Sequence, residues 1–484
     1  MLLAFVCGVF SGAAGPAIAQ VPPPVQRLLD EAGIPSEGLG LVVAPLHGGA
    51  RHLAHRVDAP LQPGSTMKLV TTLVALERLG PAWRGRTRVL AAGPVEGGVL
   101  EGDLVLQGGA DMDLSWQALQ GLLRQLRERG IREIRGDLVL DRSAFRPSRL
   151  DRGVPPFDEG PEFEYNLIPD ALLVDANLLR VTVRATGATV SAAVHPPLHG
   201  VRVRTRMTLG EAPCSRWGEG WQPPRLSEGW FGGREVVLQG TWPRGCERSL
   251  ALSLLDRDEF TARLVRALWD DLGGRWLGSV REAPTPPSAT LLAERTSRPL
   301  SELVRAINKP SDNALSRMLL LALGRESPGG DEEATLYRAA RAVRSWFTQR
   351  GLDIEGMVVD NGSGLSREER LTPAQLEAVV RAGWTGIWAP EFAASLPIVG
   401  VDGTMRLRGR DLAPGQARLK TGTLRNVVAL AGVVHDAAGQ PMVVVVMLNH
   451  ERARPALARP IADALVLWVA TTDFAAIARA APGR

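Results

Sequence analysis

The chain has 484 residues, more than one ordinary domain needs, with 45% hydrophobic and 22% charged residues, an ordinary globular composition. Its net charge of +4 is spread along the chain rather than gathered in runs. No basic stripe with interleaved aromatics occurs, so nucleic acid is excluded as an expected partner.

The chain opens on an apolar stretch over residues 2–9, then small residues, then Ala17-Ile18-Ala19 before Gln20. That order reads as a signal peptide over residues 1–19, cleaved after Ala19, and predicts a periplasmic protein. No Lys or Arg precedes the apolar core, so either the terminal amine is the sole charge there or the start codon lies elsewhere. Cys7 leaves with this segment, and Phe5 and Val6 before it are poor for a lipoprotein anchor. No later run reaches the roughly 18–20 apolar residues of a membrane helix, so membrane association is expected to be peripheral or absent.

Residues 39–43 and 52–55 read as strands. Gln62-Pro63-Gly64 then breaks the chain, and Leu69, Leu73, Leu76 and Leu79 recur at helical spacing beside Val70 and Val74. Ser65 falls in the first turn of this helix, with Lys68 on its face three residues on. The helix start adds free N–H groups and a positive dipole end. Strands at 102–106 and 136–140 share the wording G-D-L-V-L, a small internal repeat, with a helix at 116–128 between them. Further strands are expected at 179–183 and 201–205. Helices at 301–307 and 314–323 are broken at Asn308-Lys309-Pro310-Ser311, which turns Ser311 and Asn313 toward a cleft. Strands at 417–423, 427–434 and 442–448 follow, with a hairpin turn at Asp436-Ala437-Ala438-Gly439, then a helix at 455–469. The fold class is α+β: an antiparallel sheet with helices, built from both chain ends, around a large β-rich insertion.

The lysines carry the sharpest signal. Lys and Arg together number 56, yet lysine stands only at Lys68, Lys309 and Lys420. A guanidinium cannot give up its proton, whereas a desolvated ammonium can, so a lysine serving as a base cannot become arginine. Lys68 closes Ser65-Thr66-Met67-Lys68, Lys309 precedes Ser311-Asp312-Asn313, and Lys420 opens Lys420-Thr421-Gly422-Thr423. These are S-x-x-K, S-D-N and K-T-G in the chain order of penicillin-recognising serine enzymes. The Asp360-Asn361-Gly362-Ser363-Gly364-Leu365-Ser366 run is not a nucleophile elbow, because Asn361 and Leu365 stand where G-x-S-x-G needs glycine. Loss of Cys7 leaves Cys214 and Cys246, which read as one disulfide or as two buried thiols. The seven His residues are scattered without metal-ligand spacing, so neither metal nor cofactor is expected.

With their long separation, the three motifs resemble the class C low-molecular-mass penicillin-binding proteins, the D-alanyl-D-alanine carboxypeptidase/endopeptidase group. Gly102-Asp103-Leu104 with Gly108-Gly109 and the 360–366 run match that group as well. The resemblance covers nearly the whole mature chain. It implies a penicillin-binding-protein/β-lactamase-like transpeptidase domain over 20–85 and 286–484. It also implies an insert domain over 86–108 and 190–285, and a nested one over 109–189. It implies that Ser65 is acylated and Lys68 takes its proton, with Lys420 and nearby Arg residues helping keep Lys68 neutral. Ser311 would relay the proton to the leaving amine, and Asn313 would hold Lys68 and the substrate amide. Lys420, Thr421 and Thr423, around Gly422, would bind the substrate carboxylate, with the backbone N–H groups of Ser65 and Thr423 as oxyanion hole. For substrate choice, Asp158 matches the family's acidic residue that binds the amino end of the diaminopimelate side chain, and Arg367 matches its Arg in the loop after Ser-Gly-Leu-Ser. Substrates would be peptidoglycan stem peptides, and β-lactams covalent inhibitors. A β-lactamase, a non-catalytic peptidoglycan-binding scaffold and a cross-linking transpeptidase are the competing readings.

Overall fold

A computed structural model describes residues 21–152, 160–229, 232–330, 332–409, 411–412 and 415–480. The signal segment, Cys7 and Asp158 lie outside the described residues.

The two ends of the chain build one five-stranded antiparallel sheet. Its order is Ala417–Leu424, Val427–His435, Pro441–Asn449, Leu39–Pro45, Leu53–His55. Side chains alternate across a strand, and here both faces are covered, so the Val443–Val446 run need not alternate with polar residues. Val443, Val445 and Met447 face a core shared with the helix Met67–Leu79. Met442, Val444, Val446 and Leu448 face the opposite core, shared with the helices Pro23–Ala32 and Pro455–Thr471. Each such buried valine contributes about 1.5–3 kcal/mol over leaving it exposed. The helix Met67–Leu79 is buried from Met67 through Leu76, so it runs through the domain rather than along its surface.

Between that helix and the helix Leu300–Asn308 lie the inserted strands. One sheet has the order Val280–Glu282, Leu138–Asp141, Asp103–Gly109, Arg86–Ala92, Thr290–Thr296. The G-D-L-V-L repeat is structural: Leu104, Val105 and Leu106 pair in parallel with Leu138, Val139 and Leu140. A parallel pair needs a crossover, which the helix Trp116–Glu128 supplies, N-capped by Ser115 accepting from Ala118 N at 3.2 Å. The glycines of the repeat also meet, since a Cβ on Gly136 would stand 2.5 Å from Gly102 O. A second set pairs Leu179–Thr186 with Thr189–His195 and Glu247–Leu252. A third gathers Val201–Thr205, Thr208–Gly210 and Trp221–Glu228 on Arg234–Pro243. Cys214 and Cys246 are joined by a disulfide, with Cα atoms 5.2 Å apart.

This pairing groups the strands differently from the segments drawn in sequence. Leu138–Asp141, drawn in the nested segment 109–189, belongs with Asp103–Gly109, because the intervening helix is the crossover between them. Thr290–Thr296, drawn in the catalytic segment, pairs with Arg86–Ala92. Among the described residues, the strands between Leu179 and Leu252 form sheets only with one another.

Candidate active site

The three motifs converge at the edge strand Ala417–Leu424. Ser65 lies in a tight turn, Gly64–Thr66, that leads into the helix Met67–Leu79. Thr66 Oγ1 closes that turn by donating to Pro63 O at 2.7 Å. One helical turn on, Lys68 is fully buried, and its Nζ lies 2.9 Å from Ser65 Oγ, 2.7 Å from Asn313 Oδ1 and 2.6 Å from Ser363 O. The last two atoms only accept, so they hold two N–H bonds of the nitrogen. The third tetrahedral position faces Ser65 Oγ; in the neutral amine that position is a lone pair, able to take the hydroxyl proton.

Ser311 and Asn313 flank the start of the helix Asn313–Glu326. Asp312 N-caps it, accepting from Leu315 N at 2.8 Å. The turn before the helix forces Ser311 to a φ of 69°, left-handed backbone that a residue with a Cβ rarely adopts. This aims its hydroxyl at Lys420 Nζ, 2.8 Å away. Asn313 Nδ2 donates to Tyr165 O at 3.0 Å, joining the site to the inserted chain.

Lys420 is fully buried and also donates to Thr421 O at 2.7 Å. Thr421 Oγ1 bonds Thr404 Oγ1 at 2.8 Å. Gly422 permits the strand to press on the Ser65 turn: a Cβ there would stand 2.8 Å from Pro63 O and 2.9 Å from Ser65 N. Thr423, next along, is partly exposed beside that contact. Arg367 sits at the strand's far end, donating to Arg425 O at 2.7 Å. Lys309 is not part of this group; its Nζ bonds Leu396 O at 2.9 Å and pairs with Asp402, bracing the segment that leads to Thr404.

Burial is the main cause lowering Lys68 to about 7; Asp312 and Glu369 oppose it, and Arg317 adds to it. Burial likewise holds Lys420 well below its ordinary value, helped by the charge of Lys68. The expected help for Lys68 from nearby cations is minor beside desolvation; Arg317 supplies part of it, and the repulsion between Lys68 and Lys420 acts on both lysines. Among the described residues no group of three or more His, Cys, Asp or Glu side chains could hold a metal ion.

Several participants went unseen in sequence. Ser363 O is a backbone atom, and nothing in the residue type marks a carbonyl that will meet a lysine. Tyr165 O is of the same kind, and the Thr404 hydroxyl is brought in by a loop that no motif marks. Glu369 is buried beneath the 361–364 loop, although it stands in a run of charged residues with no motif to single it out.

The D-Ala-D-Ala carboxypeptidase 3 (S13) family matches residues 24–472. D-alanyl-D-alanine carboxypeptidase DacB of Haemophilus influenzae is 28% identical over 398 residues, 80% of this chain and 80% of that protein. D-alanyl-D-alanine carboxypeptidase of Actinomadura sp. (strain R39) is 28% identical over 464 residues, 92% of this chain and 84% of that protein. The crystal structure of penicillin binding protein 4 (dacB) from Haemophilus influenzae has the same fold, with a TM-score of 0.76 at 24% identity, covering 93% of this chain and 99% of that one. The family match runs from the first helix to the last turn of the helix that closes the central sheet, insertion included, and the chain belongs to the D-Ala-D-Ala carboxypeptidase 3 (S13) family.

Proposed function

We propose that the protein hydrolyses peptidoglycan stem peptides ending in D-Ala-D-Ala through an acyl-enzyme on Ser65. The observation that carries this reading is the Lys68 nitrogen, held by two carbonyl acceptors with its third position on Ser65 Oγ. Neutral Lys68 takes the Ser65 proton as Oγ attacks the carbonyl of the penultimate D-Ala. The backbone N–H groups of Ser65 and Thr423 receive the developing oxyanion. The C–N bond breaks, and the proton passes through Ser311 to the leaving D-Ala amine. Water then attacks the ester, and the peptide leaves with a free carboxylate while Ser65 regains its proton.

Asn313 orients Lys68 and the substrate amide. Lys420, Thr421 and Thr423, with the space left at Gly422, bind the terminal carboxylate. Asp158 and Arg367 are assigned to the substrate side chain; the Arg367 hydrogen bond to Arg425 O supports a place at the mouth of the cleft. In this reading β-lactams acylate the same serine, supported by a solved penicillin binding protein 4 from Haemophilus influenzae complexed with a novel beta-lactam. Cross-links are cut through the same acyl-enzyme, and the protein works in the periplasm.

The test is release of the C-terminal alanine from a diacylated peptide ending in D-Ala-D-Ala, beside one ending in D-Ala-L-Ala. Release of that residue from the first alone, stopped by benzylpenicillin, supports the reading. Equal cleavage of both peptides, or cleavage by a Ser65→Ala variant, overturns it.

A further inference from the structure

Glu369 is as buried as any side chain in the molecule, yet it lies in Arg367-Glu368-Glu369-Arg370, a run of charges on a loop. Its carboxylate is fully engaged. Oε1 accepts from Asn361 N at 3.1 Å and Gly362 N at 2.6 Å, and Oε2 accepts from Gly364 N at 2.7 Å. Three backbone donors on one carboxylate fix the path of residues 361–364. Glycine at 362 and 364 is required for that path, with φ of 72° and 82°.

The strapped loop touches both helices of the site. Gly362 O accepts from Thr71 Oγ1 at 2.7 Å, three residues beyond Lys68, and from Ser316 Oγ at 2.8 Å, three residues beyond Asn313. Between those ties the loop presents Ser363 O to Lys68 Nζ. The loop also packs on the Ser65 turn so closely that a Cβ on Gly364 would fall 1.8 Å from Gly64 O. Movement of this loop would shift the lysine's acceptor and the serine's turn together.

We propose that Glu369 is a positioning residue for the acylation step: its carboxylate straps the 361–364 loop so that Ser363 O fixes Lys68, and its negative charge acts on that lysine. The proposal rests on the reading of Lys68 as the base for Ser65. The groups that face Lys68 are Asp312 and Arg317 from the Asn313 helix side, Glu369 from the loop and Lys420 from the strand. Those that face Glu369 are Asp360, Lys68 and Arg317. Burial pushes Glu369 up to about 7, so the carboxylate and the ammonium compete for protons in one pH range. A negative Glu369 favours charged Lys68, and its removal makes Lys68 easier to neutralise.

Glu369→Gln separates the two roles from a merely structural one. Glutamine offers one oxygen to donors that now use two, and places an NH2 against a backbone N–H. The experiment is the pH dependence of benzylpenicillin acylation, read by intact mass, for wild type, Ser65→Ala, Glu369→Gln, Glu369→Asp and Ser316→Ala. Loss of position lowers the plateau rate of Glu369→Gln by about ten- to a hundredfold, and loss of charge moves its acid limb to lower pH. Glu369→Asp keeps the limb and loses rate through its shorter reach. Ser316→Ala, which loosens the loop without changing charge, loses rate with its limb in place. A folded Glu369→Gln with the wild-type limb overturns the proposal. If Glu369→Gln does not fold, a wild-type rate in Ser316→Ala and Glu369→Asp overturns it instead. Failure of wild type itself to acylate at Ser65 is a different result, and it removes the underlying reading of Lys68.

Discussion

Lys420 Nζ and Ser311 Oγ stand 2.8 Å apart, although they belong to motifs more than a hundred residues apart in sequence. The pair joins the edge strand to the turn before the Asn313 helix and places a hydroxyl on a buried lysine. Such a hydroxyl can pass a proton without carrying charge. It gets there through a backbone conformation with φ of 69°, which costs a residue with a Cβ about 1–2 kcal/mol.

That strain gives a prediction with two signs. Ser311→Ala and Ser311→Gly both lose the hydroxyl, so both slow acylation by about 10²–10⁴-fold. Glycine alone relieves the backbone, so Ser311→Gly unfolds at higher temperature than Ser311→Ala, by about 1 kcal/mol of stability. Equal melting temperatures would mean that the left-handed turn is not strained.

Lys68 sets the pH dependence. Its neutral form is the base, and burial lowers it to about 7, so the acylation rate rises as pH increases through about 7 and levels above. Lys68→Arg removes the titration and about 10²–10⁴ of the rate, because a guanidinium stays charged. The same lowering leaves the folded state with fewer bound protons than the unfolded chain between about 7 and the ordinary lysine value of 10.5. The contribution of Lys68 to stability therefore falls as pH drops through that window. A pH-rate profile of wild type with its acid limb near the ordinary lysine value contradicts this.

Much of this was legible in the chain. The three lysines stand out because 56 basic residues include so few of them, and the all-apolar strands show the central sheet because β-branched runs bounded by turns have few other uses. The G-D-L-V-L repeat was visible, but its parallel pairing was not, since wording alone does not reveal a crossover. Ser363 O stayed hidden for a plainer reason: every residue has a carbonyl, and only the folded loop decides which one meets Lys68. Glu369 was hidden by its neighbours, whose charges look like a solvated surface until three backbone N–H groups are found on it.

Gly364 tests that hidden loop. A Cβ there falls on Gly64 O at 1.8 Å, and the backbone is left-handed besides. Gly364→Ala is expected to cost about 3 kcal/mol or more of stability and to slow acylation in the fraction that folds. Thermal unfolding and the adduct rate at equal folded protein measure the two. An unchanged rate would show that the Ser65 turn does not depend on this contact.

Cys214 and Cys246 close a loop with a sequence separation of 32, for which chain entropy gives about 3–4 kcal/mol. Replacing both by serine lowers the melting temperature of the inserted strands and leaves Ser65 acylation within about twofold, because neither cysteine touches the site. Differential scanning calorimetry beside the adduct assay separates the two effects. A large loss of acylation in a folded variant would tie the distal strands to the chemistry.

The central claim is that Ser65, activated by Lys68, forms the acyl-enzyme. Intact mass after incubation with benzylpenicillin tests it most directly, for wild type beside Ser65→Ala. The account predicts a single lasting penicillin adduct on wild type, mapped to Ser65 by peptide mass, and none on the variant. An adduct on Ser65→Ala, or a folded wild type that neither binds nor turns over the drug, would contradict it, and rapid turnover without a lasting adduct would point to a β-lactamase instead.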